Sequence, residues 1–436
     1  MKKLVVATLA FAVFTSAQAA PQKAQKASLS KANSTVEVNK ADSTGLSPLA
    51  KAIRDGKTKE AQDLISKGAD VNGAYGNDGT VLTQALFYHR FEIAKSLIKA
   101  GADVNLLNKG KDSPLQLATR LNNAEIVKLL LDAGADVKYS NPLKKTALMD
   151  AITWSNKDIV KILIDSGSDV NWVDTDKETP LTYAIRRDKE DMVKMVIDAG
   201  ANVNYAGRKR GETPLLFAIE RNNAKIVKTL IDSGADVKYK NKPLFWAIRH
   251  GAINKNTEIL KMVIDSGVDV NVKNDSGESP LQSATEEANV EIIKVLVDAG
   301  ANVNSVNRNN ETPLFFAVRL HPKNVEVVKA LIAAGANVNH KNNNKENALM
   351  RAAYSKDEEL TKILIDAGSD VNCVNKNGET ALFYAVANDK QEIVKMLIQA
   401  GANVNYKTNK KESLLKYAEK HAKPEIVEML KAAGAK

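Results

Sequence analysis

The chain has 436 residues, a formal net charge of +10 and 44% hydrophobic residues. A core of considerable size is therefore possible, and the mixture of positive and negative side chains is typical of a solvated surface rather than of one fold. The single cysteine, Cys373, excludes an internal disulfide, so packing alone must stabilise the fold. Cys373 could pair with another chain, but we interpret it as an ordinary small side chain.

The first 19 residues have the layout of a secretory signal peptide. Met1-Lys2-Lys3 is a positive start, Leu4 to Phe14 is apolar or small, and Ala17-Gln18-Ala19 predicts cleavage after Ala19. A membrane anchor is the alternative, but the apolar run is too short to cross ~30 Å of hydrocarbon as a helix. We expect an exported protein without a membrane span. The short lysine start is of bacterial type, which implies the periplasm or beyond.

Residues 20–42 differ from everything that follows. They are rich in Lys, Ala, Ser, Gln and Asn, and they contain almost nothing to bury. This composition predicts a disordered linker between the signal peptide and the folded region.

From residue 43 to the C-terminus one frame repeats. Its glycines define repeats 1 to 12: Gly68, Gly101, Gly134, Gly167, Gly200, Gly234, Gly267, Gly300, Gly335, Gly368, Gly401 and Gly434. Nine of the eleven intervals are 33 residues long, one is 34 and one is 35. A fixed period of this length indicates a stacked array.

Within each repeat the pattern predicts two short helices. Motifs such as Thr179-Pro180-Leu181 begin the first helix, because the hydroxyl caps free N–H groups and proline fits the first helical position. An alanine follows three residues after the leucine in every repeat, where the neighbouring helix should come closest. A polar break precedes a second amphipathic helix, which the frame glycine ends. One such pair cannot cover its own apolar faces, but stacked pairs can.

Thr-Pro-Leu followed by Gly-Ala-Asp-Val-Asn resembles the ankyrin repeat, and the resemblance covers residues 43–436. It implies an all-α solenoid of helix-turn-helix units joined by β-finger or loop connections. The family's histidine after Thr-Pro-Leu is absent from every repeat; Met149, Gln116 and Gln282 are among its replacements. We therefore expect apolar contact to replace a hydrogen bond that ties neighbouring repeats together.

Repeat 7 departs from the frame near residues 238–267. Only nine residues separate Gly234 from Pro243, where most repeats have thirteen, and the segment before Gly267 is four residues longer than usual. We predict a shortened finger, an enlarged loop around residues 250–254 and a local change of curvature. A smaller insertion in repeat 9, near His321-Pro322, predicts another local irregularity.

No motif indicates catalysis, a cofactor or a metal. The carboxylates Asp174, Asp176 and Glu178 could suggest a metal or acid–base site, but they lie where other repeats have varied finger residues, which favours a solvated finger tip. The five histidines lack metal-ligand spacing, and neither a phosphate loop nor a nucleophile elbow is present. No basic-aromatic motif indicates nucleic-acid binding.

One helix position, two residues after the fixed alanine, is biased toward residues that anchor protein interfaces. By the resemblance it faces the concave groove. Our candidate partner-binding residues at this position are Arg54, Phe87, Arg120, Arg186, Arg249, Arg319 and Tyr354. Residues at the finger base that could extend the surface are Trp172, Tyr205, Tyr239 and Tyr406. An equally weighted alternative is that the arginines pair with finger carboxylates such as Glu178.

The favoured interpretation is an exported, non-enzymatic ankyrin-repeat scaffold, periplasmic or secreted. We expect a monomer that binds a protein partner, in particular an acidic or extended segment, and neither nucleic acid nor cofactor. A secreted host-directed effector with the same binding surface is an alternative. An enzyme, or an enzyme-protecting accessory with a site built from loops, is a third.

Overall fold

The structure is a computed structural model that describes residues 37–75, 78–154, 156–207, 211–320, 324–407, 409 and 411–436. The predicted signal peptide, linker residues 20–36 and the His321-Pro322 insertion lie outside these residues. The chain divides into two compact units, with the boundary between Thr175 and Asp176. In the described ranges every regular element is a helix, and none is long and apolar enough to span a bilayer.

The first unit contains the helix pairs of repeats 1 to 4. These helices are α1 (Pro48–Arg54), α2 (Thr58–Ser66), α3 (Val81–Phe87), α4 (Phe91–Lys99), α5 (Pro114–Arg120), α6 (Ala124–Asp132), α7 (Ala147–Thr153) and α8 (Lys157–Asp165). Each repeat thus has two short helices, as the frame predicts, and the second is two residues longer than the first.

The second unit contains the pairs of repeats 5 to 12. Its first four pairs are α9 (Pro180–Arg186), α10 (Glu190–Asp198), α11 (Pro214–Glu220), α12 (Ala224–Asp232), α13 (Lys242–Asn254), α14 (Glu258–Asp265), α15 (Pro280–Glu286) and α16 (Val290–Asp298). The remaining pairs are α17 (Pro313–Arg319), α18 (Val325–Ala333), α19 (Ala348–Tyr354), α20 (Glu358–Asp366), α21 (Ala381–Ala387), α22 (Gln391–Gln399), α23 (Leu414–His421) and α24 (Pro424–Ala432). All-α helical repeats are therefore the architecture of both units.

Local chemistry sets both ends of a helix pair. Ser113 Oγ accepts a hydrogen bond from the Gln116 N–H at 3.2 Å, and Gln116 Oε1 accepts one from the Ser113 N–H at 3.2 Å, which is a capping box. At the other end Gly134 adopts φ +88°, a conformation that costs glycine little. The predicted start and stop signals are confirmed.

Burial of the fixed alanines explains why the pairs stack. All twelve are at most 1% exposed. They are Ala52, Ala85, Ala118, Ala151, Ala184, Ala218, Ala247, Ala284, Ala317, Ala352, Ala385 and Ala418. In the second unit, for example, α15 packs against α13, α16 and α17. A first helix that touches three others at its alanine has no room for a larger side chain.

Hydrogen bonds between repeats are present, and the expectation that only apolar contact replaces the missing histidine is wrong in two repeats. Gln116 Nε2 donates to the Lys145 carbonyl at 2.7 Å, and Gln282 Nε2 donates to the Glu311 carbonyl at 2.8 Å. A glutamine amide reaches the next finger as a histidine would. Met149 is fully buried at the same position, so apolar contact does serve there.

The asparagine of Asp-Val-Asn forms a second link between repeats. Asn105 Nδ2 donates to the Gly134 carbonyl at 3.1 Å, and its Oδ1 accepts from the Asp136 N–H at 2.8 Å. The asparagines that make both bonds are Asn105, Asn204, Asn271, Asn304, Asn339, Asn372 and Asn405. Each one satisfies the carbonyl at a helix end, which has no partner within its own helix.

This link begins earlier than the predicted array. Asn39 Oδ1 accepts from the Asp70 N–H at 2.7 Å, so residues 37–42, predicted as the end of the linker, already contact repeat 1. Val38-Asn39 matches the Val-Asn of the frame. The linker prediction rested on the composition of residues 20–42 and therefore missed this match.

Repeat 7 carries its irregularity in helices rather than in a loop. A single 3-10 turn, Tyr239–Asn241, replaces the finger. Helix α13 has 13 residues, where most first helices have seven, so the predicted loop around 250–254 is helical. Gly251 permits this, because a Cβ there would lie 2.8 Å from the Asn256 carbonyl oxygen. Helix α13 packs against α14 and α16.

Candidate functional site

The position predicted to bind a partner is accessible in the repeats of each unit, and we call the set of these positions the terminal row. Its members are Arg54, Phe87, Arg120, Thr153, Arg186, Glu220, Arg249, Glu286, Arg319, Tyr354, Ala387 and Lys420. Each is exposed or half-buried, and ten of the twelve are the last residue of their helix. A cation at this end of a helix also interacts favourably with the helix dipole.

Three row arginines are already paired with carboxylates. Arg186 contacts Glu178, and Arg319 lies 3.7 Å from Glu311. In both cases the carboxylate precedes the helix cap and lies eight residues before the arginine. Arg120 follows the same rule and is described next. These pairs position the guanidinium groups against the chain's own fingers.

Arg120 lies between two carboxylates of the first unit. Its Nη2 is 2.5 Å from Asp112 Oδ1, and its Nε donates to Asp150 Oδ2 at 3.1 Å. Burial opposes the charge of Arg120, but the Asp112 and Asp150 carboxylates outweigh it and raise the pKa of the guanidinium. Burial dominates for Asp150 and raises the pKa of its carboxyl from 3.8 to about 6.

Other predicted residues of the row remain open to solvent. Phe87 is 64% exposed, Tyr354 is 51% exposed, and Arg54 pairs with its exposed neighbour Asp55 at 2.9 Å. Tyr354 is held at an angle of 79° against Tyr384, with ring centroids 5.3 Å apart. These aromatic side chains are the largest apolar surfaces on the row.

The finger-base aromatic residues are half-buried. Trp172 Nε1 donates to the Lys144 carbonyl of the preceding finger at 2.7 Å. A Cβ at Gly207 would overlap the Tyr205 ring, and Lys240 Nζ lies 5.3 Å from the centre of the Tyr239 ring. Burial raises the pKa of Tyr406. Trp172 links two fingers and presents only part of its surface.

The shortened finger of repeat 7 leaves a cleft of about 600 Å³ in the second unit, which we call the repeat-7 cleft. Helices α11, α13 and α15 contribute to it. It is lined by Glu220, Lys240, Lys242, Phe245, Trp246, Arg249, His250, Ile253, Asn274, Asp275, Glu278, Ser283, Glu286 and Glu287. Sequence reasoning located the gap and Arg249, but it missed the aromatic and acidic walls.

Four charged side chains of the cleft have no partner in an ion pair within the described part of the chain. They are Arg249, Glu220, Glu286 and Glu287. Burial raises the pKa of Glu287, an effect that the nearby Arg249 opposes. Burial also lowers the pKa of His250. Charged groups without partners in a concave surface are suited to bind an oppositely charged ligand.

The stretch Asp174–Glu178 differs from its prediction. Thr175, Asp176 and Lys177 are exposed, as expected of a finger tip, but Asp174 is 4% and Glu178 is 2% exposed. Asp174 occupies the frame position of Asn141, whose Oδ1 accepts two backbone N–H groups of its own finger. These two carboxylates are therefore buried parts of finger and cap rather than solvated groups.

Two further sequence questions concern metals and Cys373. Among the residues that the structure describes, no group of three or more His, Cys, Asp or Glu side chains could hold a metal ion. Cys373 is buried, and burial raises the pKa of its thiol. Its environment is that of a small core side chain.

Comparison with known proteins gives the family. The model for ankyrin repeats, built of three copies, matches residues 18–108, 84–174, 166–241, 206–274, 244–342 and 349–436. Among solved structures, an ankyrin repeat domain from Acinetobacter baumannii AYE is 29% identical, with a TM-score of 0.41 over 44% of this chain and 99% of that one. No curated protein matches. Because the matches to the family model span most of the sequence, the chain belongs to the ankyrin-repeat family.

Proposed function

We propose that this protein is an exported, non-enzymatic scaffold that binds a protein partner through the terminal row. The observation that carries the proposal is the exposure of Phe87 and Tyr354 on a row that stays accessible in every repeat. Large aromatic side chains are common anchors of protein interfaces. Proteins of this family are generally interaction scaffolds without catalytic activity, which supports the same conclusion.

The ion pairs of the row arginines change which predicted residues are available to anchor a partner. Arg120, Arg186 and Arg319 are paired with carboxylates of the protein, so an acidic partner would have to displace Asp112, Glu178 or Glu311. Arg54 and Arg249 are more available for a partner. The aromatic residues therefore become the main anchors, with these two arginines as additional hydrogen-bond donors.

Replacing both anchors should weaken partner capture. The chain from residue 20 onward, immobilised, is used to capture proteins from a periplasmic extract, and Phe87→Ala/Tyr354→Ala is expected to lose at least tenfold in bound partner. Aromatic anchors that a partner covers commonly contribute more than about 1 kcal/mol each, and a combined loss above about 2 kcal/mol exceeds the roughly 1.4 kcal/mol that corresponds to a tenfold change in affinity. Quantitative mass spectrometry of the captured proteins measures the loss.

Trp154→Ala is the matched control, because Trp154 is 61% exposed and lies outside the row. It should capture the same proteins as the wild type, while both variants keep the wild-type melting temperature. Undiminished capture by the double variant would show that the row is not the interface.

Export is tested separately by fractionation of the source bacterium. The start of the sequence predicts that the chain recovered outside the cytoplasm begins at Ala20. N-terminal sequencing of the periplasmic and culture fractions reads this residue directly. Recovery in the periplasm supports a resident scaffold, and recovery in the medium supports the host-directed alternative. A chain found only in the cytoplasm with Met1 intact would contradict export.

A further inference from the structure

We infer that the repeat-7 cleft binds an extended segment of a protein partner in which one acidic residue lies between two basic residues, each three positions away. This inference deepens the proposed function, on which it rests, and it names the chemistry of the partner. Its basis is the arrangement of Glu220, Arg249 and Glu286 on three consecutive first helices.

Arg249 is free for a ligand because its own finger has been shortened. In repeats 3, 5 and 9 the row arginine pairs with a carboxylate eight residues earlier. In repeat 7 that place is held by Asn241, in the 3-10 turn that replaces the finger. The guanidinium group of Arg249 is exposed and lines the cleft with no carboxylate in ion-pair contact in the described chain.

The two neighbouring row positions carry the opposite charge. Glu220 ends α11 and Glu286 ends α15, and both line the cleft. Eight residues before each of them the frame places another acid, Glu212 or Glu278, instead of a cation. An intrarepeat ion pair of the kind that Arg186 makes is therefore impossible for them. The side chains of Glu220, Arg249 and Glu286 thus place a negative, a positive and a negative charge on consecutive first helices of the cleft.

The spacing of this pattern fits an extended chain. Consecutive packed helices lie about 8–10 Å apart. An extended segment in the polyproline II conformation has three residues per turn and rises about 3.1 Å per residue, so residues three positions apart lie on the same face, about 9 Å from each other. An acidic residue opposite Arg249 thus brings basic residues three positions before and after it to Glu220 and Glu286. Intervening side chains would contact the apolar wall of Phe245, Trp246 and Ile253.

The total charge of the cleft favours a segment with a net positive charge. Five carboxylates and three cationic side chains line it. Glu287 adds a carboxylate beside Glu286 whose pKa burial has raised, so a cationic ligand would stabilise its charged form. An acidic partner segment, as expected from the sequence, would be repelled by the carboxylates of the cleft. A basic–acidic–basic segment matches both the sign and the order of the charges.

Two synthetic peptides test this arrangement on the chain from residue 20 onward. The first is acetylated Lys-Ser-Val-Glu-Val-Ser-Lys-Gly-Cys amide, labelled with fluorescein on the cysteine thiol, and the second exchanges every Lys for Glu and the Glu for Lys. Fluorescence anisotropy is expected to give at least tenfold tighter binding of the first peptide. Equal binding of the two peptides, or no binding of the first, would overturn the inference.

Charge reversal in the protein then locates the site. Arg249→Glu should weaken the first peptide more than tenfold, and the triple variant Glu220→Arg/Arg249→Glu/Glu286→Arg should prefer the second peptide. Lys294→Glu, on the exposed side of α16, is the matched control and should bind as the wild type does. The three replaced cleft residues, Glu220, Arg249 and Glu286, are exposed, so the variants should fold. Circular dichroism checks that they do.

The two proposals fail in different ways. If Phe87→Ala/Tyr354→Ala captures partners normally while the peptide preference holds, the row is not the main interface but the cleft assignment stands. If capture depends on the aromatic anchors and Arg249→Glu leaves peptide binding unchanged, the cleft assignment is wrong and the scaffold proposal stands.

Discussion

Replacement of Ala317 by leucine is expected to lower the free energy of unfolding by about 1–3 kcal/mol. Ala317 is fully buried in α17, which packs against α15, α18 and α19. The added carbon atoms have no cavity to enter, so the neighbouring helices must separate or adopt strained rotamers. Because stability in a stacked array is carried by contacts between neighbours, the damage should centre on repeats 8 to 10.

Urea unfolding measures the loss, and hydrogen exchange shows where it occurs. Ala333→Leu makes the same change in the same repeat, at an exposed position at the end of α18, and should alter stability by no more than about 0.5 kcal/mol. Amides of α15, α17 and α19 should exchange faster only in Ala317→Leu. Equal stability of the two variants would show that the fixed alanine does not mark a tight contact.

Features that depend on neighbouring residues in the sequence could be predicted. Ser113 and Pro114 indicate where one helix begins, and Gly134 indicates where the next one ends. Both signals are local, because capping and a positive φ depend on residues at the helix ends themselves. The fixed alanines could be identified because the same contact recurs in every repeat. Twelve comparable copies within one chain gave this pattern the strength that a single copy lacks.

Features that depend on what a side chain meets across repeats were harder to predict. Gln116 and Gln282 replace the family histidine as donors, which becomes visible only when the next finger's carbonyl is in place. The burial of Glu178 was not predicted, although its pairing with Arg186 was one of the two interpretations of the row arginines. Helix α13 continues where a loop was predicted, because Gly251 lets the backbone of Asn256 approach.

In the candidate site, too, some features could be predicted from the sequence and others required the fold. The accessible row was predictable from its place in the frame, and a signal for its ion pairs was present: an acid before the cap and a cation eight residues later. The repeat-7 cleft required the fold, because a deletion in a sequence does not state which side chains the gap exposes. Only the structure brings Trp246 and Glu287 to the same wall as Arg249.

Asp150 should make the stability of the first unit depend on pH. Its side chain is 11% exposed, and burial raises the pKa of its carboxyl from 3.8 to about 6 despite the nearby Arg120. The folded state therefore binds a proton more tightly than the unfolded state between these two values. By linkage, this group adds stability as the pH falls from 7 toward 4 and withdraws it as the pH rises through 6.

Asp150→Asn removes this dependence, since asparagine keeps the shape but cannot ionise. We expect the variant to be the more stable protein at pH 7, because it avoids a buried charge whose desolvation Arg120 does not fully offset. Its advantage should shrink by roughly 1–1.5 kcal/mol between pH 7 and pH 5, as the wild-type carboxyl takes up its proton. Urea unfolding at half-unit steps of pH measures the difference.

Asp132→Asn, which changes an exposed carboxylate at the end of α6, controls for general charge effects in the same unit. A constant difference between Asp150→Asn and the wild type over this range would mean that Arg120 holds Asp150 ionised despite burial and the nearby Asp112 carboxylate, and that burial does not control its protonation.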